Sequence, residues 1–364
     1  MSRIRFFLYL LCFLSVQTLV AQNRIVYMDA SEFPFYGRIH DEQDNLYGRL
    51  PLSFKEVSRK PVWNLGRNSA GIAVRFRTNS TSVHVKWESL SGVVMNHMAP
   101  VGIRGLDLYA LENVKWRYVN CARPAKENFT EYCIIQNMTP EYREFVLYLS
   151  LYDGLKSLEI GGDEGSVFTA PETDSPKRGK PVVFYGSSIL QGGCVTRPGM
   201  LFTSIISREL DREVYNLGFS GNAKLDMEIA GYMASVKDPG LFVLDYAPNC
   251  TAEMIDKDAE KFFRILRDAH PDVPVIIVEL PYYPSKDFDQ KRNLHSKQRN
   301  EAQARLYEKL KKDGEKKIFY IKSDKLLAGN KDATVDGVHY TDLGAVLHAE
   351  AILPVIRKAL KTNK

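Results

Sequence analysis

Four short segments carry residue types that together could transfer an acyl group. Gly186-Ser187-Ser188-Ile189-Leu190-Gln191-Gly192-Gly193 sets a serine on a Gly-bearing turn. A hydroxyl exposed there lies close to backbone N–H donors. Gly218-Phe219-Ser220-Gly221-Asn222 offers a further backbone N–H, and Ala247-Pro248-Asn249-Cys250 offers a side-chain amide. Asp336-Gly337-Val338-His339 holds a carboxylate three residues before an imidazole. Each segment alone has an ordinary reading. Ser220 to Asn222 could be a turn, Asn249 a helix cap, and Asp336-Gly337 a turn beside a packed His339. Taken together they supply a nucleophile (Ser188), a base (His339) and an acid that orients the base (Asp336). An oxyanion hole would be drawn from the Ser188 and Gly221 backbone and the Asn249 amide.

The elements that must position these residues alternate regularly. Apolar runs at 182–185, 214–219, 241–246, 275–280 and 318–321 read as strands, and 200–210, 225–235, 252–269, 292–312 and 342–360 read as helices. Five strands alternating with five helices imply a parallel sheet with helices on both faces. In such sheets ligands bind outside the carboxyl ends of the strands, which is where all four segments fall. Upstream, 72–77, 83–87, 144–149 and 155–160 alternate apolar and polar residues, and no long helical period is present. A β-sandwich or jelly roll is expected there. The polar, Pro-bearing stretch 171–179 reads as a linker. The division is therefore a segment 1–21, a β domain 22–170, the linker, and an α/β domain 180–364.

Composition narrows the function. Of 364 residues, 49 are Lys or Arg and 44 are Asp or Glu. The net charge of +5 is too small to mark a basic binding face, so nucleic acid is not an expected partner. No G-x-x-x-x-G-K-[ST] occurs, and no G-x-G-x-x-G follows the first parallel strand, so nucleotide binding is not supported. Arg3 and Arg5 precede an apolar run that ends in Val20-Ala21-Gln22, the pattern of a secretory signal peptide. A buried first helix or an uncleaved anchor is the alternative. Cys12 follows Leu11, where a lipoprotein signal carries a small residue, so lipidation is not expected. The mature chain is read as exported, periplasmic or secreted, without stable membrane insertion. Cys121, Cys133, Cys194 and Cys250 then allow disulfides, such as Cys121–Cys133 or Cys194–Cys250, or four free buried thiols. His40, His84 and His97 fall in the β domain; His84 lies on one side of an alternating strand and reads as a surface or packing residue, and His348 reads as packed. No histidine spacing indicates a metal, and the chemistry needs no cofactor.

The ordered set Ser188, Gly221, Asn249 and Asp336/His339 resembles the four blocks of the SGNH (GDSL-like) hydrolase superfamily. The longer strings around it, with Gly105-Leu106-Asp107-Leu108-Tyr109 upstream, resemble a bacterial two-domain branch. Ser187 stands where the first block usually has Asp, and Ala247 and Cys250 depart from the third block. The resemblance implies a flavodoxin-like hydrolase domain behind a β-sandwich domain. It also implies a serine esterase working through an acyl-enzyme, with an acylated carbohydrate or another ester as substrate. A lipase or thioesterase, and a glycan-binding protein with a silent hydrolase fold, are the alternatives. Gly192-Gly193 would leave room for a bulky alcohol. Tyr282, Tyr283 and Tyr340 would either stack on sugar rings or serve as core and rim aromatics.

Overall fold

The computed structural model describes residues 24–363; the expected signal peptide lies outside them. No helix among the described residues is long and apolar enough to cross a membrane.

The N-terminal domain is a sandwich of two antiparallel sheets. One sheet orders Ile25–Asp29, Leu155–Asp163, Val83–Ser89 and Phe129–Ile135. The other orders Phe168–Thr169, Ala73–Thr78, Arg143–Tyr148, Leu106–Glu112 and Lys115–Ala122, with Phe35–Tyr36 also paired to Ala73–Thr78. Period-two alternation explains the packing. Val83, Val85 and Trp87 point inward to meet Val74, Phe76, Leu108, Phe145 and Leu147 from the facing sheet. His84 and Lys86 lie on the other side of their strand. Three helices, Phe54–Val57, Lys60–Gly66 and Pro100–Arg104, are too short to show a period in the sequence.

The C-terminal domain is built on a five-stranded parallel sheet ordered Arg212–Gly218, Lys177–Gly186, Leu241–Asp245, Val275–Val278 and Ile318–Ile321. This is the flavodoxin-like order 2-1-3-4-5. Its first strand in chain order begins at Lys177, inside the stretch read as a linker. Leu241–Asp245, Val275–Val278 and the second half of Lys177–Gly186 are apolar and buried because both faces of the sheet are covered there. Val182, Phe184, Leu241 and Val243 face a core shared with helices Phe202–Leu210 and Asp342–Leu360. Val183, Tyr185, Phe242 and Leu244 face the core of helices Met227–Ala234, Ala252–Ala269 and Gln290–Lys312. Side-chain caps mark three helix starts: Thr251 accepts from Met254 N, Asp289 from Arg292 N and Thr341 from Gly344 N.

Several polar contacts lock the domains together, and that of Arg59, paired with Asp226 and bonded to Asn222, is one of them. The Asp107 carboxylate, fully buried, accepts from Arg197 Nη1 and from Gly199 N, both at 2.7 Å, and Arg197 Nη1 also reaches Tyr109 Oη at 2.7 Å. A Cβ on Gly199 would stand 2.5 Å from the Asp107 carboxylate, so only glycine admits this approach. Arg49, also buried, donates to the carbonyls of Gly218 (2.6 Å) and Asn216 (3.2 Å) while holding Leu65 and Asn68 in its own domain. Burial pushes its guanidinium down to about 9. Glu213 accepts from Gly37 N at 2.9 Å.

Candidate active site

Ser188 opens the one-turn helix Ser188–Gln191 directly after the strand Lys177–Gly186. Ser187 is its N-cap and accepts from Ile189 N, so the serine that replaces the usual Asp has a local capping task. Ser188 is only 6% exposed. Its Oγ lies 2.8 Å from His339 Nε2, and His339 Nδ1 lies 2.7 Å from Asp336 Oδ2. Asp336 Oδ1 accepts from Val338 N (3.0 Å) and His339 N (2.8 Å). Gly337, at φ +83°, lets the chain fold back so that one carboxylate meets both backbone donors and the ring. Burial works against the charge on Asp336, but the donors of His339 and Val338 outweigh it and hold the carboxyl below its usual value. An ionised carboxylate only accepts, so Nδ1 carries the imidazole proton. Nε2 is then left to accept from Ser188 Oγ–H.

The loop after the second strand is tied to the serine turn, and the loop after the third is tied to that loop in turn. Ser220 N donates to Gln191 Oε1 (2.9 Å), and Gln191 Nε2 reaches back to Leu151 O (3.3 Å). Gly221 follows at φ +68°, and nothing lies within 4 Å of where its Cβ would be. Asn249 ends the turn Ala247–Asn249, and its Oδ1 accepts from Ala223 N (3.2 Å). That bond fixes the amide orientation and leaves Nδ2 as a donor.

The β domain reaches the same place. Tyr152 Oη donates to Ser188 O at 3.1 Å, and the His97 ring lies 5.8 Å from the His339 ring. The sequence marks neither as a site residue; His97 is read there only as belonging to the β domain. No local pattern announces them, because both contacts exist only once the domains dock. Other expectations change as well. Gly192 and Gly193 do not open space for an alcohol. A Cβ on Gly193 would stand 2.7 Å from Tyr152 Oη and 3.2 Å from His339 Cδ2, and one on Gly192, at φ +106°, would stand 2.8 Å from Leu151. Tyr283 and Tyr340 are core residues, and Tyr282 is half-buried. His348 is packed as expected. It pairs with Tyr340 Oη (3.0 Å), and burial pushes it down to about 3, so it stays neutral. All four described cysteines are free thiols, so neither disulfide pairing forms; Cys194 and Cys250 are buried, whereas Cys121 and Cys133, on the outer strands of the sandwich, are only half-buried.

Residues 179–357 match the model of the GDSL-like lipase/acylhydrolase family, and residues 25–168 match that of the N-terminus of SGNH-hydrolase-type esterases. A crystal structure described as a GDSL-like lipase from Bacteroides ovatus is 35% identical; the match covers 93% of this chain and 98% of that one, with a TM-score of 0.88. The chain belongs to the GDSL-like, SGNH-type acylhydrolase family. Two more distant structures share its fold. The salicylyl-acyltransferase SsfX3 from a tetracycline biosynthetic pathway is 16% identical over 90% of this chain and 95% of its own, with a TM-score of 0.74. A family two carbohydrate esterase from Cellvibrio japonicus is 12% identical over 94% and 100%, with a TM-score of 0.58. No curated relative matches the sequence.

Proposed function

We propose that the protein is an exported serine esterase that removes acetyl or similar small acyl groups from a carbohydrate. The observation that carries the reading is the continuous relay from Ser188 Oγ through His339 to Asp336, at 2.8 and 2.7 Å. Ser188 attacks the ester carbonyl while His339 Nε2 takes its proton. Asp336 holds the imidazole in the required tautomer and stabilises its cation. The tetrahedral oxyanion is held by the backbone N–H groups of Ser188 and Gly221 and by Asn249 Nδ2. The His339 proton then passes to the leaving alcohol. Water attacks the acyl-enzyme with His339 again as base, and Ser188 is restored.

The carbohydrate part of the reading is supported by likeness. Family two carbohydrate esterases share the two-domain fold, and one from Clostridium thermocellum has been solved with cellohexaose. A silent glycan-binding fold would not need the intact relay. The test is hydrolysis of p-nitrophenyl acetate and release of acetate from acetylated xylan by residues 22–364, beside Ser188→Ala. Turnover lost in Ser188→Ala, together with acetate released from the glycan, supports the reading. Equal turnover in the two proteins overturns the role of Ser188. Ester turnover with no acetate from any acetylated glycan overturns the substrate.

A further inference from the structure

We infer that His97, Cys194 and His339 form a transition-metal site, fitted to Zn²⁺, whose occupation switches the esterase off. One ligand atom from each residue lies within 4.8 Å of the other two. Two imidazoles and a thiolate are the ligand types that select a borderline-soft divalent cation over Mg²⁺ or Ca²⁺. Around a tetrahedral Zn²⁺ with bonds of about 2.0–2.3 Å, ligand atoms stand roughly 3.4–3.6 Å apart, so the cluster needs to close by no more than about 1 Å. His97, half-buried on the loop before helix Pro100–Arg104, is the member placed to make that movement.

Both imidazoles already have an oxygen partner on one nitrogen. His339 Nδ1 is held by Asp336 Oδ2 at 2.7 Å, and His97 Nδ1 is held by Asn96 Oδ1 at 3.1 Å. An oxygen on one ring nitrogen orients the other toward a metal, the usual outer-shell arrangement of histidine ligands. His339 would bind through Nε2, the atom that accepts from Ser188 Oγ–H. The metal therefore displaces that hydrogen bond, and Ser188 Oγ or water completes the fourth position. The balance is simple. One metal–sulfur and two metal–nitrogen bonds form, waters of the hydrated ion leave in their place, and the Cys194 S–H bond breaks with its proton passing to the buffer, with no change of oxidation state. The inhibitory part rests on the reading of His339 as the base; the binding part does not.

Co²⁺ reports the site directly. The full mature chain, stripped with chelator and titrated with Co²⁺, should develop a thiolate-to-cobalt charge-transfer band that saturates at one equivalent and is bleached by Zn²⁺. The band should vanish in Cys194→Ser. Loss of an outer-shell partner alone costs roughly 10–100-fold in metal affinity, so loss of a ligand in His97→Gln should weaken binding at least that far. Zn²⁺ should slow fluorophosphonate labelling of Ser188 by about ten-fold or more, and chelator should restore it. Each variant, compared with itself with and without Zn²⁺, should lose most of that slowing. No charge-transfer band in the wild type, or a band that survives Cys194→Ser, overturns the site. Slowing by Zn²⁺ that is undiminished in both variants overturns the switch. Should the metal-free protein label no serine and cleave no ester, the esterase reading fails, while the cobalt spectrum still decides the site.

Discussion

Replacing Asp336 by Asn tests the relay with one atom changed. Asp336 makes three contacts: Oδ1 takes two backbone N–H groups and Oδ2 takes His339 Nδ1. Asn can keep Oδ1 on the backbone donors, which turns its NH₂ toward the ring. The imidazole must then accept at Nδ1 and carry its proton on Nε2, where it cannot take the Ser188 proton. The flipped amide restores the tautomer but faces two backbone N–H groups with donors. That clash costs about 2 kcal/mol after allowance for solvent, leaving roughly 3% of molecules in the competent form. The lost charge-assisted bond to the imidazolium costs about another 2 kcal/mol. Together these predict a fall of about 10³-fold in turnover, one decade less than the ~10⁴ of a buried triad carboxylate. The difference arises because the Asp336 side chain is 35% exposed and water can partly replace it. The assay is kcat on p-nitrophenyl acetate together with the rate of fluorophosphonate labelling, which reads nucleophile activation alone. A loss under about ten-fold in both would refute the tautomer argument.

Asn249→Ala should lower kcat by about 10²–10³. Asn249→Asp, which keeps the acceptor for Ala223 N but not the Nδ2 donor, should be equally impaired, and wild-type turnover in either would remove Asn249 from the oxyanion hole. Gly193→Ala drives a methyl against Tyr152 Oη and the His339 ring. It should cost about 1–3 kcal/mol in denaturant stability and slow labelling of Ser188; unchanged labelling would show that this packing does not set the base. Asp107→Ala strands the Arg197 guanidinium, which keeps only Tyr109 Oη and ring faces, at a cost of about 3 kcal/mol read as a lower melting temperature. Burial pushes Glu213 up to about 7, above its unfolded value, so its contribution to stability is full at acid pH and is lost as pH rises through about 7. The wild type should therefore lose on the order of 2–3 kcal/mol relative to Glu213→Gln between about pH 5 and about pH 8, and parallel stability profiles would count against a buried carboxyl that ionises late.

The parallel sheet is legible in the sequence because most strands hold a short apolar run, as at 182–185, 241–244, 275–278 and 318–321, and the helices between them carry apolar faces. Ala252–Ala269 and Asp342–Leu360 begin and end where the sequence places them, each behind a threonine cap. Parallel strands deliver their following loops to one edge, which is why Ser188 and the Asp336/His339 pair can be brought together on paper. What stays hidden depends on docking and close packing. His97 and Tyr152 belong to another domain, and their contacts with His339 and Ser188 follow no local spacing. Gly192 and Gly193 look like open space in a sequence, yet they are small because Leu151, Tyr152 and His339 press on them. The thiols are equally opaque, since pairing depends on distances that composition does not carry.

The Gly-x-Asp-Leu-Tyr string acquires a physical role from this docking. Burial pushes the Asp107 carboxyl above its ordinary value even with Arg197 and Gly199 N–H upon it. An apolar contact would join the domains without that penalty. The carboxylate, however, accepts only where Arg197 and Gly199 N–H converge, and Arg197 is further held by Tyr109 Oη. A slide of the interface by even one residue would leave a buried charge unpaired, so the ion pair selects one docking register. That register sets the turn 194–200, which follows the serine helix, against the β domain. The same register brings Tyr152 to the Ser188 carbonyl and His97 to the His339 ring, while Arg49 grips Gly218 ahead of the Gly221 loop. The β domain is thus a wall of the site, and the α/β domain alone would keep the Ser220 and Asn216 bonds to the serine turn but lose those of Tyr152 and Leu151.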